Sequence, residues 1–417
     1  MSEGYCQAIE AFREECFCIE EGTVHLDHAG STIYSSLCIQ RMMEKLFFRK
    51  GSQLLANPHS DGSFSSSNTN HQIDDIRQFI LKEVFNTSLR EYDLVFTFNA
   101  THSLKIISDC FPIGPHSSVG YLQYSHNSMI GALRSCAHGE ENIKVYKTLT
   151  EFKQDIPNSF SHPNDRHIFG FSAECNGTGT KFTDFSIFSF LNQYHPNVFT
   201  ILDSSKHSST NVSIDLSKFK PDFVTLSFYK WFGYPTGLGA LLIRKTRLSD
   251  VNFIPRNGYF AGGTIKVNTA SKPFYFQYRN GFHSVLESGT IPFITIIELF
   301  SYLKELQQVF SGYLNMSDIS FRDVFMTIQG HTSYLQRYAM QQLKKLVHFN
   351  GNPLVRIYNE DTIGNSSIIT FNVFNSSGTM IGYSQIQQLC SLHGFNIRSG
   401  CFCVPGGKSF LLMPFYY

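Results

Sequence analysis

No run of 18 apolar residues occurs in the 417-residue sequence, so no membrane span is expected. The opening stretch, MSEGYCQAIEAFREECFCIEEG, is acidic and lacks the apolar core of a secretory signal. Without a secretory context the ten cysteines read as reduced thiols, metal ligands or catalytic groups rather than a disulfide framework, and the expected location is cytoplasmic. The Asn-x-Ser/Thr triplets at Asn86, Asn176, Asn211 and Asn365 are then chance matches. Charge of one sign is also lacking. The 34 Lys and Arg offset 33 Asp and Glu to leave +1, too little excess to meet the phosphates of nucleic acid non-specifically. No internal repeat is evident.

What is there points to a large folded core. Apolar residues make up 42% and charged residues 16%, which excludes a disordered chain, and 40 phenylalanines supply core volume. Continuously apolar runs at 94–99, 118–124, 167–172, 198–203, 223–228 and 239–243 predict strands buried on both faces, as in a parallel sheet. Between them lie helical patterns. Ile73, Ile76, Ile80 and Val84 share one face, and further helices are expected at 103–110, 128–137 and 184–194. The alternation predicts an α/β fold: a mainly parallel, doubly wound sheet with ligand loops at the carboxyl ends of its strands. The polar stretch 60–70, SDGSFSSSNTN, reads as a mobile surface loop. Beyond about residue 300, helices at 294–309 and 332–346 precede short strands near 354–358 and 367–373, the pattern of a smaller α+β domain. The expected division is an N-terminal segment 1–21, a large domain 22–300 and a small domain 301–417.

One stretch carries most of the chemistry: ILDSSKHSS, then FVTLSFYKWFGYPTGLGALLIRK. A buried strand ends in Asp203, and a later one gives out just before Lys230. A lysine at a strand end among aromatics loses hydration, which lowers its pKa and frees the amine to form an imine. A carboxylate on a neighbouring strand end can keep a pyridine nitrogen protonated, which makes pyridoxal phosphate an electron sink. Taken singly, Lys230 could be a snorkelling surface lysine and Asp203 a cap. Their order on successive strand ends favours the paired reading. Upstream, FTFNATHSLKII is a strand, a small-residue turn and a helix start, where backbone N–H groups and Thr101 could take a phosphate or form an ordinary cap. His126 follows a strand and could stack on a flat ring or be structural. Asn176 could donate to a ring hydroxyl or mark a plain Asn-Gly turn.

In chain order, the motifs LDHAGST, NPHS, NATHS, YSHNS, CNGTGT, SFYKWFGYPTGLGALL, ESGTIPF and IRSGCFC resemble those of class V pyridoxal-phosphate enzymes. More narrowly, they resemble the cysteine desulfurase-like part of the molybdenum cofactor sulfurase family, over about residues 22–410. The resemblance implies fold type I, pyridoxal 5'-phosphate as cofactor and L-cysteine as substrate. It implies Lys230 as the Schiff-base lysine, Asp203 as the pyridine-nitrogen partner, His126 as the stacking ring and Asn176 as the ring-hydroxyl donor. Thr101 and Ser227 match phosphate ligands. Gly289 and Thr290 match a phosphate contact that comes from the second subunit of a dimer, which implies a homodimer. Arg398 matches a fork for the substrate carboxylate.

Sulfur abstraction needs a thiolate, and NIRSGCFCVPGG offers Cys401 and Cys403 on a glycine-flexed loop beside an arginine. Counting five from the arginine, the desulfurase pattern selects Cys403, with Cys401 the alternative. A zinc site from Cys16, Cys18, Cys401 and Cys403 is disfavoured, because zinc ribbons space paired cysteines by two residues and here there is one, so no metal is expected. The sequence departs from the family after the cysteine: VPGGKSF replaces NPGA and a further cysteine. It ends at Tyr417, so a shortened small domain and no molybdenum-cofactor-binding domain are expected. Lys206 stands where many desulfurases place a cofactor-contacting glutamine. The expected reaction is conversion of L-cysteine to alanine with a persulfide on the enzyme. The molybdenum cofactor or its carrier is the expected sulfur acceptor, with no nucleic-acid or membrane partner. Another class V chemistry (an aminotransferase or selenocysteine lyase) and a non-catalytic homologue remain the alternatives.

Overall fold

The computed structural model describes residues 5–406 apart from 50–53, 61, 163–164, 212–213, 273 and 363–364. The end of the predicted small domain, 407–417, lies outside the described residues. Among the described residues, seven strands form the central sheet: β1 Tyr92–Thr97, β2 Val119–Leu122, β3 Ile143–Tyr146, β4 His167–Ser172, β5 Val198–Asp203, β6 Phe223–Ser227 and β7 Gly239–Arg244, in the order β1-β7-β6-β5-β4-β2-β3. Neighbours among β6, β5, β4, β2 and β3 pair in parallel.

Side chains alternate between two cores, one on each face of the sheet. Leu94, Phe96, Ala240 and Leu242 join one cluster, while Val95, Leu241 and Ile243 join the other. Burial on both sides is why these strands carry unbroken apolar runs. The helices Ala100–Cys110 and Asn127–Cys136 cover one face through Leu104, Ile107, Met129 and Leu133. On the other face the helix Phe64–Phe79 contributes Ile73 and Ile76, and Phe293–Leu314 contributes Ile296, Leu299 and Leu303. No helix among the described residues is long and apolar enough to cross a membrane.

Two expectations need correction. The 239–243 run is not a parallel strand: β7 is antiparallel to both β6 and β1. The few residues between Ser227 and Gly239 turn the chain straight back and leave no room for a crossover helix. The stretch 60–70 is not a loop throughout, because the helix Phe64–Phe79 begins inside it. Ser63 caps that helix by accepting from the Ser66 N–H. Ser66 and Thr69 are buried and continue the stripe of Ile73 and Ile76 toward the helix start, and Ser66 Oγ donates to the Pro58 carbonyl at 3.2 Å.

After the sheet, the helix Phe293–Leu314 runs through residue 300 and the helix Phe321–Lys344 follows. A small antiparallel pair, Val355–Ile357 with Phe371–Val373, stands where short strands were expected. A second, two-residue pair is parallel and joins distant parts of the chain: Val24 pairs with Phe395 and His25 with Asn396.

Candidate active site

The carboxyl ends of β1, β2, β4, β5 and β6 point the same way, and the segments leaving them carry the candidate residues. Asp203 ends β5, in register with Ser172 of β4 and Thr225 of β6. Its Oδ1 accepts from Ser205 N (3.1 Å), Ser205 Oγ (2.7 Å) and Thr225 Oγ1 (3.4 Å), and its Oδ2 accepts from Ser172 Oγ (3.4 Å). With 7% exposure, the carboxylate is fixed rather than solvated.

Lys230 lies one short turn beyond β6, in the helical segment Tyr229–Phe232 that ends at Gly233. Gly233 has φ of +75°, and a Cβ there would meet the Tyr34 backbone, so only glycine suits this reversal. Lys230 is buried, and among the described residues its amine has no hydrogen bond or ion pair. Burial above all pushes the amine below its ordinary pKa; Lys206 and Arg398 push the same way, while Asp203 and Cys403 oppose.

His126 caps the helix Asn127–Cys136, its Nδ1 accepting from Ser128 N at 3.1 Å. That contact leaves the ring proton on Nε2. Burial chiefly depresses its pKa, with Asp203 opposing and Lys230 and Arg398 adding to the depression. A neutral ring near Asp203 and Lys230 suits stacking on a heteroaromatic. Ser172 joins the two residues, since its Oγ accepts from His126 N at 3.2 Å and donates to Asp203.

A second cradle forms where the helix Ala100–Cys110 begins. Ser227 Oγ accepts from Ala100 N at 2.9 Å, which leaves the Ser227 hydroxyl proton to donate. Thr101 Oγ1 is 2.8 Å from Ser128 Oγ. At Gly239 a Cβ would lie 2.6 Å from the Leu226 carbonyl and 2.7 Å from Asn99 Cα, so a glycine is what lets the helix start approach the strand. Hydroxyls converging on a helix N-terminus suit a phosphate. With a buried amine lacking a partner and a buried, hydrogen-bonded carboxylate alongside, they fit pyridoxal phosphate: Lys230 for the aldehyde, Asp203 for the ring nitrogen, Ser227 and Thr101 for the phosphate. Asn176 is half-buried on the loop after β4.

The other wall comes from the end of the described chain. Arg398 follows the Phe395–Asn396 strand and meets Asp27, its Nε and Nη2 donating to Oδ2 at 3.2 and 3.1 Å. Cys401 and Cys403 are both exposed and free. Cys403 bears electrostatically on Lys230 and on Tyr229. Phe402 and Cys403 both take left-handed conformations, φ +54° and +60°, which non-glycine residues rarely adopt. The loop is pinned where Asn127 N donates to the Cys403 carbonyl at 2.8 Å and where Val404 is buried at 1% exposure.

Gly289 and Thr290 are not brought to this cluster within the chain. The Gly289 N–H donates to the Gly262 carbonyl and the Gly289 carbonyl faces His59 Nε2 at 3.1 Å. Ser172, Ser205 and Thr225 carry no motif that marks them in the sequence, though the parallel register sets two of them beside Asp203. Nor does one mark Glu174, which is buried, with one oxygen 3.7 Å from the Lys206 amine and the other 3.9 Å from that of Lys181. Lys206 is buried as well, its amine 3.3 Å from Ser367 Oγ. In sequence, nothing distinguishes these two buried lysines from surface ones.

Residues 24–413 match the family model described as aminotransferase class-V. The chain is 34% identical over 391 residues to molybdenum cofactor sulfurase 3 of Aedes aegypti, covering 92% of this chain and 48% of that protein. It is 32% identical over 419 residues to the molybdenum cofactor sulfurase of Drosophila ananassae, covering 94% and 51%. The chain thus spans about half the length of these curated relatives. Among solved structures, it is similar to the apo cysteine desulfurase of Thermococcus onnurineus NA1, with TM-score 0.70, 16% identity and coverage of 97% and 90%. A second similar fold is the cystine C-S lyase C-DES in complex with its product cysteine persulfide, with TM-score 0.64 and 16% identity over 91% of this chain and 90% of that one.

Proposed function

The chain belongs to the class V aminotransferase family, and from that premise we propose that it is a pyridoxal-phosphate-dependent L-cysteine desulfurase that collects sulfur on Cys403 for the molybdenum cofactor. One observation carries the reading: the Cys403 carbonyl accepts from Asn127 N at 2.8 Å, next to His126, so an exposed free thiol stands beside the cluster that holds the buried Lys230 amine and Asp203. An aminotransferase or selenocysteine lyase needs the lysine and the carboxylate but not the thiol.

When bound, pyridoxal phosphate supplies an electron sink for the pair left on the substrate α-carbon. The chain's own residues do the rest. Ser227, Thr101 and the helix start take the phosphate. Asp203 keeps a proton on the ring nitrogen, and His126 covers the ring. Arg398 takes the substrate carboxylate. Lys230, whose amine is already biased toward its neutral form, accepts the α-proton. The Cys403 thiolate attacks the substrate sulfur: a sulfur–sulfur bond forms, the substrate carbon–sulfur bond breaks, its electron pair goes to carbon, and a proton completes alanine. The product persulfide is labile to thiols, which suits a carrier.

The molybdenum cofactor as acceptor is supported by the relatives whose names carry that function. A homodimer is supported by the Gly289–Thr290 turn, where Gly289 hydrogen-bonds to Gly262 and His59 and, among the described residues, to none of the candidate site residues. A cytoplasmic location agrees with ten free thiols. We keep the division near residue 300 between a cofactor-binding part and a smaller part that brings Arg398 and Cys403.

The test is to load the protein with pyridoxal phosphate, add L-cysteine, quantify alanine and map persulfide by mass spectrometry. One added sulfur on Cys403, and loss of alanine production in Cys403→Ser, are expected. Undiminished turnover in that variant would turn the assignment to another class V chemistry.

A further inference from the structure

The carboxylate of Asp27 lies along one edge of the Arg398 guanidinium. Nε is 3.1 Å from Oδ1 and donates to Oδ2 at 3.2 Å, while Nη2 donates to Oδ2 at 3.1 Å. A guanidinium can grip a carboxylate along its Nε–Nη2 edge or along its Nη1–Nη2 edge. Asp27 takes the first, and Nη1 has no partner among the described residues.

Both partners are fixed by backbone. Leu26 N donates to the Asn396 carbonyl at 2.9 Å, one residue before Asp27 and two before Arg398. Gly30 N donates to Asp27 Oδ1 at 3.1 Å and so holds the carboxylate itself. A Cβ at Gly30 would collide with Arg398 Nη2 and Asp27 Oδ2, so the pair closes over a space that only glycine leaves. The side chains are 31% and 27% exposed, so a small acid can reach the guanidinium. The Arg398 charge adds to the lowering of the Lys230 and His126 pKa values, in keeping with a place at the reacting end of the site.

We infer that Asp27 is a positioning residue: it holds Arg398 by its side edge and presents the Nη1–Nη2 edge to the α-carboxylate of the amino-acid substrate, a role that rests on the desulfurase reading above. A free arginine side chain spreads over many rotamers, and a second carboxylate behind it removes that freedom before substrate arrives. Asp27 touches no reacting atom. Its effect is therefore on substrate affinity and on the demand for a free carboxylate, not on sulfur transfer.

The test compares the cofactor-loaded wild type with Asp27→Asn and Gly30→Ala, titrated with L-cysteine and L-cysteine methyl ester by visible absorbance, alongside alanine kinetics. In the wild type the free acid should bind better than the ester. In Asp27→Asn the KM for L-cysteine should rise about tenfold with kcat within about twofold, and the preference for the acid should shrink. Gly30→Ala, whose methyl displaces Nη2 without changing charge, should do the same. A merely structural role would instead lower bound cofactor and kcat together. Unchanged or lower KM in both variants, with a wild type that distinguishes acid from ester, overturns the role of Asp27 and leaves the desulfurase reading standing. A wild type that does not respond to L-cysteine overturns that reading, and the role of Asp27 falls with it.

Discussion

Asp203 and Cys403 act on the same lysine and are held in opposite ways. Asp203 ends a strand in the middle of the sheet, is 7% exposed and accepts from three neighbouring side chains and one backbone N–H. Cys403 is exposed, lies on a loop beyond a two-residue strand, and sits in a left-handed conformation next to another left-handed residue. A group that must keep one proton on one ring atom works best preorganised in a dry, rigid setting. A thiol that must attack and then hand its sulfur onward needs to be reached from outside. On the proposed roles of Asp203 and Cys403, the sheet-built end and the loop-built end meet those two needs separately.

The comparison can be broken most directly at Lys230, where both ends converge. Lys230→Ala should release pyridoxal phosphate completely on dialysis, read as lost visible absorbance; a variant that stays coloured would remove the lysine from both ends at once. Next comes the sheet end alone. Asp203→Asn should retain the cofactor yet lose on the order of 10²–10⁴-fold in alanine production, because a neutral amide cannot hold the ring proton. Near-normal turnover would place the electron sink elsewhere.

The loop end should respond more mildly. Val404→Ala removes two buried methyl groups, at about 0.8 kcal/mol each, so the loop opens more readily. Labelling of Cys403 by a thiol reagent should then quicken, up to about tenfold, with cofactor absorbance unchanged. Equal labelling rates would mean Val404 does not anchor the loop. The smallest effect separates the charges around the lysine. Lys206 pushes the Lys230 amine toward neutrality. Removing that cation in Lys206→Met should raise the Lys230 pKa, so the pH midpoint for cofactor capture by cofactor-free protein moves up. A midpoint that stays or falls would remove Lys206 from the groups that set it.

The two ends also differed in how far the sequence disclosed them. The strands ending in Asp203 and Ser227 were legible because burial on both faces demands unbroken apolar runs. The antiparallel course of β7 was not, because an apolar run carries no direction. The start of the helix Phe64–Phe79 was hidden because small polar residues, Ser66 and Thr69, fill its inward positions and erase the apolar period. Arg398 and Cys403 were found through motif resemblance, whereas Asp27 needed the structure. The Val24–His25 strand is two residues long, too short for any periodicity, and its partner lies far along the chain.

That short parallel pairing has a consequence for the order of assembly. Asp27 and Arg398 are 371 positions apart in sequence. Closing so long a loop carries a high entropic cost until the intervening sheet has already drawn its ends together. On a ribosome, the carboxylate-and-amine end of the pocket can therefore take shape while the arginine is still unmade. Arg398 and Cys403, the proposed substrate grip and sulfur acceptor, arrive last, as a lock fitted to a finished door. On the proposed roles of Arg398 and Cys403, a nascent chain able to hold pyridoxal phosphate would not yet be able to take sulfur from cysteine.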